Sequence, residues 1–164
     1  MNEQSEHFPL RELIVPQSQT EWLNLRTQDI TSTDIAALFG ISPYLTEFEL
    51  WHRKKDGLIV EIEENVRMKW GTRLQDSIAT GIAQDNGWVV QRMEEYMRVP
   101  ILRIGSSFDF KIIEKPKGDG TPVELHGILE IKNVDGLAFK NGWIVDGENI
   151  EAPPHIELQV QHQL

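Results

Sequence analysis

Asp109, Glu130 and Lys132 are the side chains in this sequence whose types and spacing could break a bond. Two carboxylates can hold a divalent cation through hard oxygen ligands, and a lysine beside them can position an attacking water or, as the neutral amine, deprotonate it. Asp109 lies in the run Ile104–Ile113 (Ile-Gly-Ser-Ser-Phe-Asp-Phe-Lys-Ile-Ile), and the other two lie in Gly127–Asn133 (Gly-Ile-Leu-Glu-Ile-Lys-Asn). Both runs alternate apolar and polar residues with period two, the pattern of paired strands. Glu130 and Lys132 then share one face, Leu129 and Ile131 the other, while Phe108 and Phe110 flank Asp109 toward the core. If the strands pair, a carboxylate from each and one ammonium converge on a point. The same residues also fit the solvated face of a two-stranded ribbon laced by cross-strand ion pairs. Two neighbours favour a built site: Gly105-Ser106-Ser107 offers small residues and backbone donors to an anion, and Glu130 between apolar neighbours is costly to bury unpaired.

The elements that must position these residues can be read along the chain. Residues 1–18 read as an N-terminal arm broken by Pro9 and Pro16, and 19–164 as one domain whose final helix has only just begun. A helix starts near Gln19, with Thr20 able to cap it. A second follows Ser32 or Thr33 as N-cap, with Ile35, Leu38 and Phe39 as its apolar stripe and Gly40 as its stop. Helices are predicted over Glu47–Lys55 and Val66–Asn86, ending at Gly57 and Gly87, with the acidic run Glu61–Glu64 between them. Met68, Leu74, Ile78 and Ile82 mark the expected core face of the long helix. Strands are predicted from Trp88, over Tyr96–Val99, over Leu102–Ile113 and over His126–Asn133. A further strand is expected near Trp143, and a helix over Ile156–Leu164. The five tryptophans are assigned to the core. The expected class is α/β (α+β), a mixed central sheet flanked by helices.

Composition bounds the function. A chain of 164 residues can bury a core without staples, and having no cysteine it forms neither disulfides nor thiolate metal sites. No run approaches bilayer length, so no membrane partner and a cytoplasmic location are expected. A net charge of −10 argues against a non-specific nucleic-acid coat, yet is compatible with an enzyme that gathers its cations along one channel.

Five short blocks, in order, resemble the YqaJ-like viral recombinases, the family of the phage lambda exonuclease. They are Trp22-Leu-Asn-Leu-Arg26 with Ile30-Thr-Ser-Thr33-Asp-Ile, Trp70-Gly-Thr-Arg-Leu-Gln75, Gly105-Ser-Ser-Phe-Asp109, Leu129-Glu130-Ile-Lys132, and Leu158-Gln159-Val-Gln-His-Gln-Leu. The resemblance implies a restriction-endonuclease-like PD-(D/E)xK core. It also implies an exonuclease that degrades one strand of duplex DNA from its 5′ end with Mg²⁺ (two ions, Mn²⁺ able to substitute), a ring-shaped homotrimer, and a single-strand annealing protein as partner. Asp109 and Glu130 would then be metal ligands, joined by the backbone carbonyl of Ile131; Lys132 would act on the water, and Gln159 would orient a nearby group. Arg26, Thr33 and Ser107 match positions that hold the 5′-phosphate. Taken without the family, Arg26 reads as a helix C-terminal cation, Thr33 as an N-cap and Gln159 as a helix-surface residue. One departure stands out: the metal-binding glutamate common in the family's long helix is Gln75 here, followed by Asp76, which points about 100° away around a helix. An amide oxygen can still ligate magnesium, but without charge.

Two rivals remain. Thr33–Ser42 resembles the start of a helix-turn-helix, although Pro43-Tyr44-Leu45-Thr46-Glu47 delays the second helix and is poor in basic side chains. A non-catalytic subunit of a recombination complex is the other.

Overall fold

The structure, a computed structural model, describes residues 11–60 and 64–164. Most of the expected arm, with His7 and Pro9, and Glu61–Glu63 of the acidic run lie outside the described residues. In chain order the elements begin with β1 (Glu12–Ile14), α1 (Gln19–Gln28), β2 (Ile30–Thr31), α2 (Ile35–Leu38) and α3 (Glu47–Asp56). Next come α4 (Val66–Asn86), β3 (Val89–Arg92), β4 (Tyr96–Val99), β5 (Ile104–Ser107) and β6 (Phe110–Pro116). The last are β7 (Pro122–Leu129), α5 (Gly136–Gly142), β8 (Ile144–Asp146), β9 (Asn149–Glu151) and α6 (Pro154–Gln163). The mixed α/β class expected from the sequence is the class observed. No helix of the described residues is long and apolar enough to cross a membrane.

The chain forms two compact units. The first comprises the residues up to Ile59 with Glu95–Ser107 and Pro154–Leu164; the second comprises Val60–Glu94 and Phe108–Pro153. The first holds a four-stranded sheet in the order β1-β4-β5-β2, antiparallel except for the parallel β2–β5 pair. Thus β1 arises from within the stretch expected as an arm. The second holds the antiparallel sheet β3-β6-β7 and the hairpin β8–β9.

Local chemistry explains the helix ends. Thr46 and Glu49 close a reciprocal capping box on α3, Asn65 caps α4, and Gly57 and Gly87 end these helices in the left-handed region. Other starts differ from expectation. Ser18 rather than Thr20 caps α1, because its hydroxyl accepts from the Glu21 N–H. Asp34 rather than Ser32 or Thr33 precedes α2, and its carboxylate accepts from the N–H and hydroxyl of Thr31.

The core also differs from the expected stripes. In α4 the buried residues are Ala79 and Ala83, one turn apart, while Met68 and Ile82 are exposed. Ala79 packs with Phe110 and Ile131, flanked by Ile78 and Leu129. In α2 it is Ala36 and Ala37 that are buried, with Leu38 and Phe39 exposed. Trp51 and Trp70 are each 52% exposed and are not core residues; Trp22, Trp88 and Trp143 are half-buried.

Two predicted strands have other bounds. The run Leu102–Ile113 divides into β5 and β6 because the chain changes sheets at Phe108–Asp109: β5 pairs with β4 and β2, β6 with β3 and β7. Gly105, on β5, is fixed by packing, since any Cβ there would overlap the Tyr96 hydroxyl. The strand predicted to reach Asn133 ends at Leu129, where the ladder with β6 ends at the Phe110–Leu129 pair. Glu130 and Lys132 therefore follow the strand instead of lying on it.

Candidate active site

In the second unit, Asp109 sits at the break before β6. Its carbonyl accepts from the Met93 N–H (3.0 Å), continuing the β3–β6 ladder one step past Arg92 and Phe110. Its carboxylate is gripped from two sides: Oδ2 accepts from the Ile131 N–H at 2.8 Å, and Oδ1 from the Gln75 side-chain amide at 3.0 Å. Each carboxylate oxygen has two acceptor sites, so these bonds orient the group without saturating it. Gln75 reaches it from the face of α4 that also carries Ala79 and Ala83, spaced at i, i+4 and i+8.

Glu130 and Lys132 form an ion pair at 2.8 Å, with the Glu130 side chain 15% exposed and the lysine 31%. Ile131 between them is buried, so the alternation expected of a strand persists past the strand's end. Glu130 and Lys132 both act electrostatically on Asp109, which brings the three sequence-predicted residues into one neighbourhood. Burial pushes the Asp109 carboxyl above its ordinary value. The Ile131 N–H opposes this, the Glu130 charge adds to it, and Lys132 and Arg92 oppose it further. Arg92, which the sequence reading did not single out, lies over the Phe110 ring and pairs with Asp76 at 2.7 Å. Asp76 is thereby engaged away from Gln75, as its helical offset requires.

Magnesium takes oxygen ligands, tolerates one or two carboxylates and keeps several waters. The carboxylates of Asp109 and Glu130 are donors of that kind, and they are the ones that would hold such an ion here. Among the described residues no three His, Cys, Asp or Glu side chains gather as a metal cluster.

The residues expected to hold a phosphate lie in the first unit and are linked through one tryptophan. The Arg26 guanidinium stacks on the Trp22 ring at 4.5 Å and donates to the Thr33 hydroxyl at 2.7 Å. The Trp22 indole N–H donates to the Ser107 hydroxyl at 2.8 Å. Arg26, Thr33 and Ser107 are thus brought together by Trp22, a connection with no signal in the residue pattern. Burial lowers the Arg26 pKa, and the Asp34 carboxylate opposes that shift. Asp34 also takes Lys54 in a largely covered ion pair at 2.6 Å, and the Lys54 ammonium donates to the Arg26 carbonyl at 2.6 Å. Two expectations change here. Thr33 serves Arg26 instead of capping a helix, and Gly105-Ser106 is packed under Tyr96 and beside His162, leaving only Ser107 of that triplet in the cluster. Gln159 is half-buried on α6, also in the first unit.

The helix-turn-helix reading fails on geometry. Between Leu38 and Glu47 runs an eight-residue segment, Phe39–Thr46, where that motif has a turn of about three to four residues.

Fold and site together define a mixed α/β protein whose paired carboxylates and lysine gather where neighbouring strands begin and end. The sequence matches the YqaJ-like viral recombinase domain over residues 21–164, and the chain belongs to that family. It is similar to the "Uncharacterized protein YqaJ" of Bacillus subtilis (strain 168), with 28% identity over 147 residues, 90% of this chain and 42% of that relative. The chain therefore spans about two-fifths of the length of that relative.

Proposed function

We propose that the protein is a magnesium-dependent exodeoxyribonuclease of the PD-(D/E)xK type. On this reading it hydrolyses linear double-stranded DNA from the 5′ end and leaves 3′ single-stranded tails for phage-type recombination. The observation that carries the reading is the Asp109 carboxylate, oriented by the Ile131 N–H and Gln75 and lying in the field of the Glu130–Lys132 pair. Membership of a viral recombinase family supports it.

Asp109, Glu130 and the Ile131 carbonyl would hold the metal, with Gln75 steadying Asp109. Magnesium supplies positive charge at the attacking and leaving oxygens of the phosphodiester. Lys132, paired with Glu130, serves as a hydrogen-bond donor that places the water and offsets charge growing on the phosphate. In the first unit, Arg26 offers a guanidinium fork to a terminal phosphate, with the Thr33 and Ser107 hydroxyls beside it. Gln159 would orient a nearby water or backbone group. The active form would be a homotrimer that passes its product to a single-strand annealing protein.

The test is direct. Duplex labelled at either its 5′ or its 3′ end is incubated with the purified protein, with Mg²⁺ or with EDTA. Metal-dependent release of short products from the 5′ label is expected. An intact duplex in magnesium, or release from the 3′ label first, rejects the reading.

A further inference from the structure

A cleft of about 570 Å³ in the first unit is lined by Thr27 and Gln28 of α1, Lys54–Gly57 at the end of α3, and Arg98 and Arg103. Four cations and one carboxylate, Asp56, line it in a chain whose net charge is −10, and two of the four are paired with Asp34 and Asp29 behind the surface. This is a local positive site on an acidic protein, and it calls for an anionic ligand.

The cations are not equivalent. Lys54 is committed to Asp34 and the Arg26 carbonyl. Arg98 is anchored to Asp29 at 2.8 Å and to the Gln28 side chain at 3.2 Å. Lys55 and Arg103 are exposed. The Lys55 ammonium lies over the Trp51 ring at 4.5 Å, and Arg103 uses only Nε to hold the Gln28 carbonyl at 2.9 Å. Helix-dipole complementarity would account for Lys54 and Lys55 at the end of α3. It does not account for Arg103, which enters from another element in a strained backbone state. Its φ of 52° makes it the non-glycine residue with positive φ among those described. Such a conformation is disfavoured for an ordinary side chain, and a glycine would adopt it freely. An arginine held there by three backbone hydrogen-bond contacts at its own N–H and carbonyl and at the Gln28 carbonyl is fixed with its guanidinium at the cleft.

We propose that this cleft binds the phosphodiester backbone of single-stranded DNA, with the exposed Trp51 ring as a stacking surface for a base. The inference rests on the protein acting on DNA and extends that reading to a cleft that adjoins the Arg26 cluster through Lys54. The cleft is open to solvent and larger than one phosphate would fill. Trp51 does not line the cleft but stands next to it, joined through the Lys55 ammonium over its ring, and a cationic groove beside an exposed aromatic suits a single strand, whose phosphates and bases are both accessible.

The experiment is fluorescence anisotropy with a labelled 5′-hydroxyl oligonucleotide in EDTA, so that neither cleavage nor a 5′-phosphate contributes. The parent is compared with Lys55→Gln, Arg103→Gly and Trp51→Leu, each first checked for an unchanged circular dichroism spectrum. Arg103→Gly removes the charge while suiting the left-handed backbone, and Lys55→Gln gives an independent reading if it misfolds. Each charge removal should flatten the log Kd against log salt slope by about 0.7. Trp51→Leu should weaken binding roughly 5- to 150-fold with the slope unchanged. Unchanged affinity and slope in all three variants overturn the proposal. So does complete competition by inorganic phosphate with no dependence on strand length, or tighter binding of blunt 5′-hydroxyl duplex in which Trp51→Leu is silent. End-labelled duplex cleavage in Mg²⁺ is scored separately. Variants that lose single-strand binding uphold the cleft even if the parent cuts nothing, and a cutting parent with indifferent variants sinks the cleft alone.

Discussion

The Asp109 and Arg26 clusters are built on opposite principles. Asp109, an acceptor-only group, is surrounded by donors: a backbone N–H, a side-chain amide and the field of two cations. Arg26, a donor-only group, is surrounded by neutral acceptors and an aromatic face, with Asp34 as its nearest charge influence. Each arrangement fixes a charged head without cancelling it. The first leaves lone pairs for a cation, and the second leaves N–H groups for an anion. Substitutions in the first should therefore strike turnover and metal response, and those in the second should strike the choice of DNA end.

The largest effect expected is at Asp109. Asp109→Asn removes the ligand charge while relieving a carboxylate that burial disfavours, so magnesium-dependent cleavage should fall about a thousand-fold or more with the melting temperature kept or raised. A stable variant that still cuts would break the comparison. Next, Lys132→Ala should lower kcat by about 10²–10³ with KM for duplex nearly unchanged; equal losses in binding and rate would contradict its place beside the water. Arg26→Ala should reduce the preference for 5′-phosphate over 5′-hydroxyl ends by roughly tenfold or somewhat more, the worth of a hydrogen bond to a charged group. An unaltered preference would remove the first unit's cluster from end recognition.

The smallest and most discriminating change is Gln75→Glu. The amide now donates to Asp109 at 3.0 Å, so a glutamate there sets two carboxylates against each other without metal. Thermal stability in EDTA should drop, and the gain on adding Mg²⁺ should exceed that of the parent. Equal gains would place Gln75 outside the metal's reach.

Much of this was readable from residue types. The glycines ending α3 and α4 fixed the helix C-termini to within a residue, because that signal is local. The pairing of Glu130 with Lys132 and the burial of Ile131 followed from alternation alone. The break at Phe108–Asp109 could not be seen, since Phe108–Ile112 keeps its alternation across it and only partner strands decide where one sheet yields to another. The role of Trp22 was hidden for a similar reason: its contact with Ser107 spans 85 positions of chain. Ala79 and Ala83 were overlooked as core because larger neighbours at Met68 and Ile82 dominate any hydrophobic pattern, whereas what is buried is decided by which face meets Phe110 and Ile131.

The clamp on Asp109 also supplies built-in reporters. The amide protons of Met93 and Ile131 terminate on its carbonyl and its carboxylate respectively. In a nitrogen–proton correlation spectrum, a cation captured by that carboxylate should move the Ile131 resonance strongly and the Met93 resonance weakly. Two backbone signals of the nitrogen-15-labelled protein can thus follow occupancy directly, with no substrate or turnover required.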